Sequence, residues 1–155
     1  MAPWTWVDVA RPLTFADYQQ GRDSALAAAL TYAAGPSIAE QLVAAARSGG
    51  VEEALQSLDR LRTHPDNRYA DMERKFIRAV QALNRAGLPD AAIAVGQRTG
   101  ELFPGSADAF FLVGAFAEQA KRGDVALAAA RHALSIDPNH RNARSLLERL
   151  SSRTQ

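Results

Sequence analysis

"HALSIDPNHRNA", residues 132–143, decides how the chain is read. A run of Ala- and Leu-rich helix formers stops at Pro138, which has no amide hydrogen and whose ring clashes with the preceding helical turn. A second run of helix formers begins soon afterwards. One such junction is a helix–helix turn. The same junction at a fixed interval is the hinge of a repeat.

The junction does recur, at Pro104 in "ELFPGSADAF", and the interval between the two prolines is that of a two-helix repeat. Ala126 and Ala133 precede Pro138 by 12 and 5, and Ala92 and Thr99 precede Pro104 by the same amounts. Phe110 and Phe76 stand equally far ahead of their respective prolines. Antiparallel helices in contact sit about 8–10 Å apart, and the closer end of that range demands small side chains at the crossing. Gly114 and Ala126 are predicted to meet there in the last hairpin. Phe110, Val113 and Ala117 form the stripe of its first helix, and Ala130 and Ala133 continue the inner face of its second. In the hairpin before, the inner positions are Phe76, Ala79, Val80 and Leu83, then Ala92, Gly96 and Thr99. Gly87 makes the turn, and Pro89 stands in the first turn of the second helix.

A looser copy lies upstream. Pro36 and Ser37 open a helix carrying Ile38, Leu42 and Ala45, Ser48 to Gly50 turn the chain, and Ala54, Leu58 and Leu61 stripe a second helix closed by Pro65. About five surplus residues in "DNRYADMERK" are expected to extend the start of the next first helix. Residues 139–153 read as one helix, with Ala143, Leu146, Leu147 and Leu150 on one face and Arg141, Arg144, Glu148, Arg149 and Arg153 on the other. That is the form that seals the last exposed unit of a stack. At the other end, Thr14 with Asp17 predicts a capped helix from Phe15, interrupted near Gly21, and a second from Ser24 to Ala34. Trp4 and Trp6 in "PWTWVDVA" are read as an extended strap on neighbouring helices. The units are therefore 1–35 (strap and degenerate hairpin), 36–66 (divergent hairpin), 67–106 (hairpin with extended first helix), 107–138 (hairpin) and 139–155 (cap and tail).

Composition narrows the class of job. The 155 residues carry 18 basic and 17 acidic side chains, a net charge of +1, so no global field recruits nucleic acid or a membrane. Cysteine is absent, which removes disulfides and thiolate metal sites. The most apolar run, "ALAAALTYAAG" from Ala25, is about half the ~20 residues that cross a bilayer, and the N-terminus has no basic segment leading into an apolar one. A soluble, cytoplasmic chain is expected. Phosphate loops, nucleophile elbows and metal-binding His spacings are missing from the sequence. His64, His132 and His140 are read as turn or surface histidines, and Glu52 and Glu53 as partners of a helix N-terminus. From Arg60 to Arg85 basic residues outnumber acidic ones, which a solvated helix face explains. No enzyme, metal or cofactor is expected.

On these residues the segment from Phe76 to Leu150 resembles tandem tetratricopeptide repeats: Phe110, Gly114, Ala126, Ala133 and Pro138 match the signature, and Phe76, Gly87, Ala92 and Pro104 match it again. Gly123 comes two residues later than the family's inter-helix glycine, which predicts a longer first helix in the last hairpin. More narrowly, "PSIAEQLVAAARSGGVEEALQSLDRLRTHPDN", "AIAVGQRTGELFPGSADAFFLVGAF" and "ALSIDPNHRNARSLLERL" are similar to the repeat domain C-terminal to some β-lactamase-related serine hydrolases, an appendage without the nucleophile. The resemblance implies an all-α fold, a right-handed superhelical solenoid of hairpins with a C-terminal capping helix, whose first helices line a concave groove. Groove candidates are then Ile77, Arg78, Gln81, Asn84 and Arg85, followed by Phe111, Leu112, Ala115, Glu118 and Gln119, with Glu40, Val43 and Arg47 upstream. For Phe111 and Leu112 burial against a neighbouring helix is the alternative. The family's chaperone adaptors hold a C-terminal carboxylate with Lys and Asn in the groove; the matching Ala39, Val43, Arg78, Asp108 and Leu112 offer one cation, so that ligand is not expected. The implied function is a non-enzymatic scaffold binding a peptide or helix of a protein partner. The alternatives are an accessory or homodimerising domain of a larger hydrolase, and a small-ligand or enzymatic groove built on Arg78, Arg85 and Glu118.

Overall fold

The computed structural model describes residues 14–31 and 35–152; Trp4, Trp6, the expected end of the second helix and Arg153 lie outside them. The chain forms α1 (Phe15–Gln19), α2 (Ser24–Thr31), α3 (Ile38–Thr63), a 3-10 turn (Pro65–Asn67), α4 (Met72–Arg85), α5 (Pro89–Leu102), α6 (Ala107–Gln119), α7 (Gly123–Ile136) and α8 (Arg141–Ser152). No strand occurs among the described residues. The protein is all-α.

Local signals set the helix ends. Thr14 and Asp17 form a capping box on α1, as do Ser37 and Glu40 on α3. Asp71 and Ser106 cap α4 and α6, and Pro89 occupies the first turn of α5, where its missing N–H costs nothing. α3 is not one straight helix. Gly49 (φ −134, ψ 18) and Gly50 (φ 66, ψ −151) leave helical geometry, so residues 38–48 and 51–63 are separate segments turned at the predicted glycines.

From α3 onward each helix packs on its neighbour in the chain, and α3 meets α5, α4 meets α6, and α6 meets α8. The predicted close crossing of Gly114 and Ala126 is present. A Cβ on Gly114 would lie 3.2 Å from the Ala126 carbonyl oxygen, 3.4 Å from the Ala130 nitrogen and 3.0 Å from Leu146 Cδ2. A Cβ on Gly96 would sit 2.8 Å from Val113 Cγ2 and 3.5 Å from Val80 Cγ1, so α5 is held between α4 and α6. Leu42, Leu58, Phe76, Leu83, Val95 and Leu146 fill the interior. Burying each such side chain contributes roughly 1.5–3 kcal/mol. Phe110, expected on the inner stripe, is only half-buried, with its ring over Gly100 and 4.1 Å from the His132 ring. Phe116, absent from the expected stripe, is buried.

Hydrogen bonds repeat at the interval that separates Pro104 from Pro138. Ala86, Gly87 and Leu88 donate to the carbonyls of Ala82, Asn84 and Leu83; one interval on, Ala120, Lys121 and Arg122 donate to those of Phe116, Glu118 and Ala117. Phe103 to Thr99 and Ser106 to Phe103 recur as Asp137 to Ala133 and His140 to Asp137. Each turn satisfies orphan carbonyls of the helix before it, and the two turns at 86–88 and 120–122 each need one residue in the left-handed region. Gly87 supplies it in the first case (φ 75) and Lys121 in the second (φ 59).

Two expectations are corrected here. α6, Ala107–Gln119, is no longer than α4, because Lys121 accepts the left-handed conformation and the turn stays in step; Gly123 merely opens α7. The start of α4 is not extended either. Pro65 opens a 3-10 turn, Asn67 Nδ2 donates to the Leu61 carbonyl, and Asp71 accepts from the Arg74 amide at 3.1 Å, so the helix begins at Met72. The caps Ser37, Asp71, Ser106 and His140 keep the common interval to within a single position. The residue surplus lies in the link, and it offsets a short first segment in α3.

Two substitutions test this packing by urea denaturation. Gly114→Val, which drives a branched side chain into the Ala126 backbone, is expected to cost about 1–3 kcal/mol. Lys121→Gly, which relieves the left-handed strain, is expected to raise stability by about 0.5–1 kcal/mol.

Candidate functional site

The first segment of α3 and the helices α4 and α6 bring six of the groove candidates, Glu40, Val43, Arg47, Ile77, Arg78 and Gln81, into two shallow clefts. Ala39, Glu40, Val43, Ala44 and Arg47 of α3 face Ala82 and Ala86 of α4 across one crease. Asp71, Glu73, Arg74, Ile77, Arg78 and Gln81 line a second cleft with Asp108 at the start of α6. Asn84 Nδ2 donates to Gln119 Oε1 at 3.1 Å and ties the far ends of α4 and α6 together. Arg85 lies along its own helix, its Nε donating to the Gln81 carbonyl at 3.3 Å.

Most acids here are already engaged. Asp71 caps α4 and lies 3.8 Å from Arg74 Nε. The Glu40 carboxylate accepts from the Ser37 amide at 2.7 Å and from its hydroxyl at 2.8 Å, contacts that hold its carboxyl below the ordinary glutamate value. Asp108 Oδ1 lies 3.0 Å from His140 Nε2. Arg47 and Arg78, by contrast, are exposed and make no ion pair among the described residues. In the basic stretch, Arg60 is paired with Glu53 at 2.6 Å.

The end of the candidate set is corrected. Leu112 is 8% exposed and belongs to the core, and Phe111 is half-buried with its ring 5.2 Å from that of His140. The Phe111 contact follows from α8, capped by His140, packing on α6. Glu118 turns to the same helix: its carboxylate meets Arg149 Nη2 at 3.0 Å and its side chain is 15% exposed. It is committed to the terminal helix rather than to a site with Arg78 and Arg85.

His140, read from the sequence as a turn or surface residue, has a side chain only 10% exposed. Its Nδ1 accepts the Ala143 amide at 3.1 Å and so caps α8, as the Ser106 hydroxyl caps α6 one interval earlier in the chain. Accepting at Nδ1 fixes the tautomer, leaving Nε2–H to donate to Asp108. Histidine is outside the usual capping residues, and only the offset from Ser106 signals it.

No known family model matches the chain, and no curated protein matches it. Among the described residues no helix is long and apolar enough to cross a membrane, and no cluster of three or more His, Cys, Asp or Glu could hold a metal ion.

Loss of the cap in His140→Ala should lower stability by about 1 kcal/mol and speed amide exchange at Ala143, read by hydrogen exchange with NMR detection. The Glu40 box has a signed pH dependence. A carboxyl lowered by folding contributes stability above its unfolded value, and loses it as pH falls through its folded value. Protection factors in the first turn of α3 should therefore fall on acidification in the native chain, and Glu40→Gln should flatten that dependence.

Proposed function

We propose that the chain is a tetratricopeptide-like helical-repeat scaffold without a reaction of its own, which holds a peptide or helix of a protein partner along the exposed faces of α3, α4 and α6. The hydrogen bonds and left-handed turns that recur at one fixed interval support the repeat reading. Stacked hairpins of this kind offer an extended surface rather than an enclosed pocket. The observation that carries the binding reading is the pair of clefts in which the cations Arg47 and Arg78 stay exposed beside apolar Val43 and Ile77, while Glu40, Asp71 and Asp108 are occupied within the fold. Apolar side chains anchor and unpaired cations orient, which is a common division of labour at peptide sites.

A second reading, self-association, is favoured by the exposed apolar residues of α1 and α2, Phe15, Tyr18, Leu26 and Leu30. Sedimentation at tens of micromolar separates the two, since a dimer requires a mass that rises with concentration.

Partner binding is expected to weaken at least tenfold in Arg78→Glu and in Arg47→Glu, measured by calorimetry on the partner recovered by affinity capture. Arg131→Glu, at an exposed position on α7, should leave it unchanged. Retention of full affinity in both groove variants, or capture of no partner by the native chain, rejects the reading.

A further inference from the structure

The α1–α2 unit is built, with its large apolar side chains left uncovered. α1 carries its capping box, Gly21 turns the chain in the left-handed region (φ 61), and the Asp23 carboxylate accepts the Leu26 amide at 2.8 Å. Its large apolar side chains nevertheless face water: Phe15 is 75% exposed, Tyr18 81%, Leu26 55% and Leu30 78%. Phe15 and Tyr18 are three apart on α1, and Leu26 and Leu30 four apart on α2, so each pair shares one face. Helices this short are not stable alone in water, and clustered exposed apolar residues mark a docking face.

A matching trough lies next to it in the chain. The crease between α3 and α4 is floored by small side chains, Ala39, Val43, Ala44, Ala82 and Ala86, and has Arg47 at its far end. Residues 32–37 separate Thr31 from Ile38 and can span at most about 20 Å. A short link between helices favours antiparallel neighbours. Laid antiparallel to residues 38–48, α2 is about 12 Å long, the rise from Ala39 to Arg47. That direction brings Asp17 and Asp23, both also held in cap hydrogen bonds and flanking Arg22, to Arg47, the cation that has no ion pair among the described residues; Glu40 is the acid already in the crease.

We propose that the α1–α2 unit docks in cis in the α3–α4 crease, with Leu26 and Leu30 filling the trough and Asp17 and Asp23 meeting Arg47, so that it closes this end of the groove. A short tether gives the unit an effective concentration of the order of millimolar at its own crease, which favours the intramolecular contact over a second copy at micromolar protein. Its consequence for a partner rests on the groove reading; the docking itself does not.

The test uses the free full-length chain, so its result does not depend on whether a groove partner exists. In Leu26→Asp/Leu30→Asp, and separately in Arg47→Asp, NMR signals of Val43, Ala82 and Ala86 are expected to move. Amide exchange in α2 is expected to quicken at least tenfold in both. The Arg47 variant leaves α2 itself unchanged, so faster exchange there reports lost docking rather than a broken helix. Neither effect should vary between about 10 and about 200 µM protein, well below the tether's effective concentration. Crease signals that stay where they are in both variants overturn the proposal. So does α2 protection that grows with protein concentration, which assigns the apolar face to a second copy.

Discussion

The contact between Gly114 and the backbone of α7 sets the spacing on which the rest of the C-terminal half depends. With Ala126 and Ala130 opposite and no Cβ between them, α6 and α7 approach until the next atom met is Leu146 of α8. A larger residue at 114 would push α7 away from α6 and α8 away from both. Gly96 does the same one helix earlier, bringing α5 against Val113 and Val80. Close-packed interiors leave few gaps for such displacements to relax into, so a change at one crossing is felt at the next.

The hinges convert that spacing into a regular stack. Each must end a helix, satisfy its last carbonyls and begin another helix within a short stretch of chain. Gly87 and Lys121 solve this with the same set of hydrogen bonds, although one is a glycine and the other carries a side chain in a strained region. The position therefore follows from geometry more than from residue type. The α3–α4 link solves it differently. The 3-10 turn and Asp71 absorb surplus residues, so that α4 starts one full interval after α3 despite the early turn at Gly50. Length is traded within the unit, and the starting points of the first helices are kept.

This explains what could be read from the sequence. The small residues at 96, 114 and 126 depend on local spacing, and the structure places them as expected, whereas in the stripe of α6 Phe110 is half-buried and Phe116 takes an inner place. The start of α4 could not be read that way. Continuous helix-forming residues upstream of Met72 carry no sign that Pro65, Asn67 and Asp71 divert them into a turn and a cap. Lys121 escaped notice because propensity points to Gly123, while the phase set by Gly87 overrides it. Of the candidate site residues, Arg47, Ile77, Arg78 and Gln81 line the clefts, whereas Leu112 lies in the core and Glu118 pairs with Arg149 of α8. The environment of Glu118 depends on where a helix well downstream comes to lie, and helical periodicity holds no information about that.

The terminal helix also explains why the two ends of the groove differ in character. α8 meets α6 through Leu146, and the acids of α6 are taken up at the same end, Asp108 by the capping His140 and Glu118 by Arg149. Surface pairs of this kind contribute little to stability, but they do settle which charges remain available. At the other end no helix among the described residues performs this service for α3. Its crease keeps a floor of alanines and Val43, and Arg47 keeps its charge exposed. Apolar surface and unsatisfied charge are thus concentrated where the described stack begins, beside the short α1–α2 unit whose own apolar face is open to water. At one end of the described helices α8 packs on α6 and α7; at the other, small apolar side chains and an exposed cation line the α3–α4 crease.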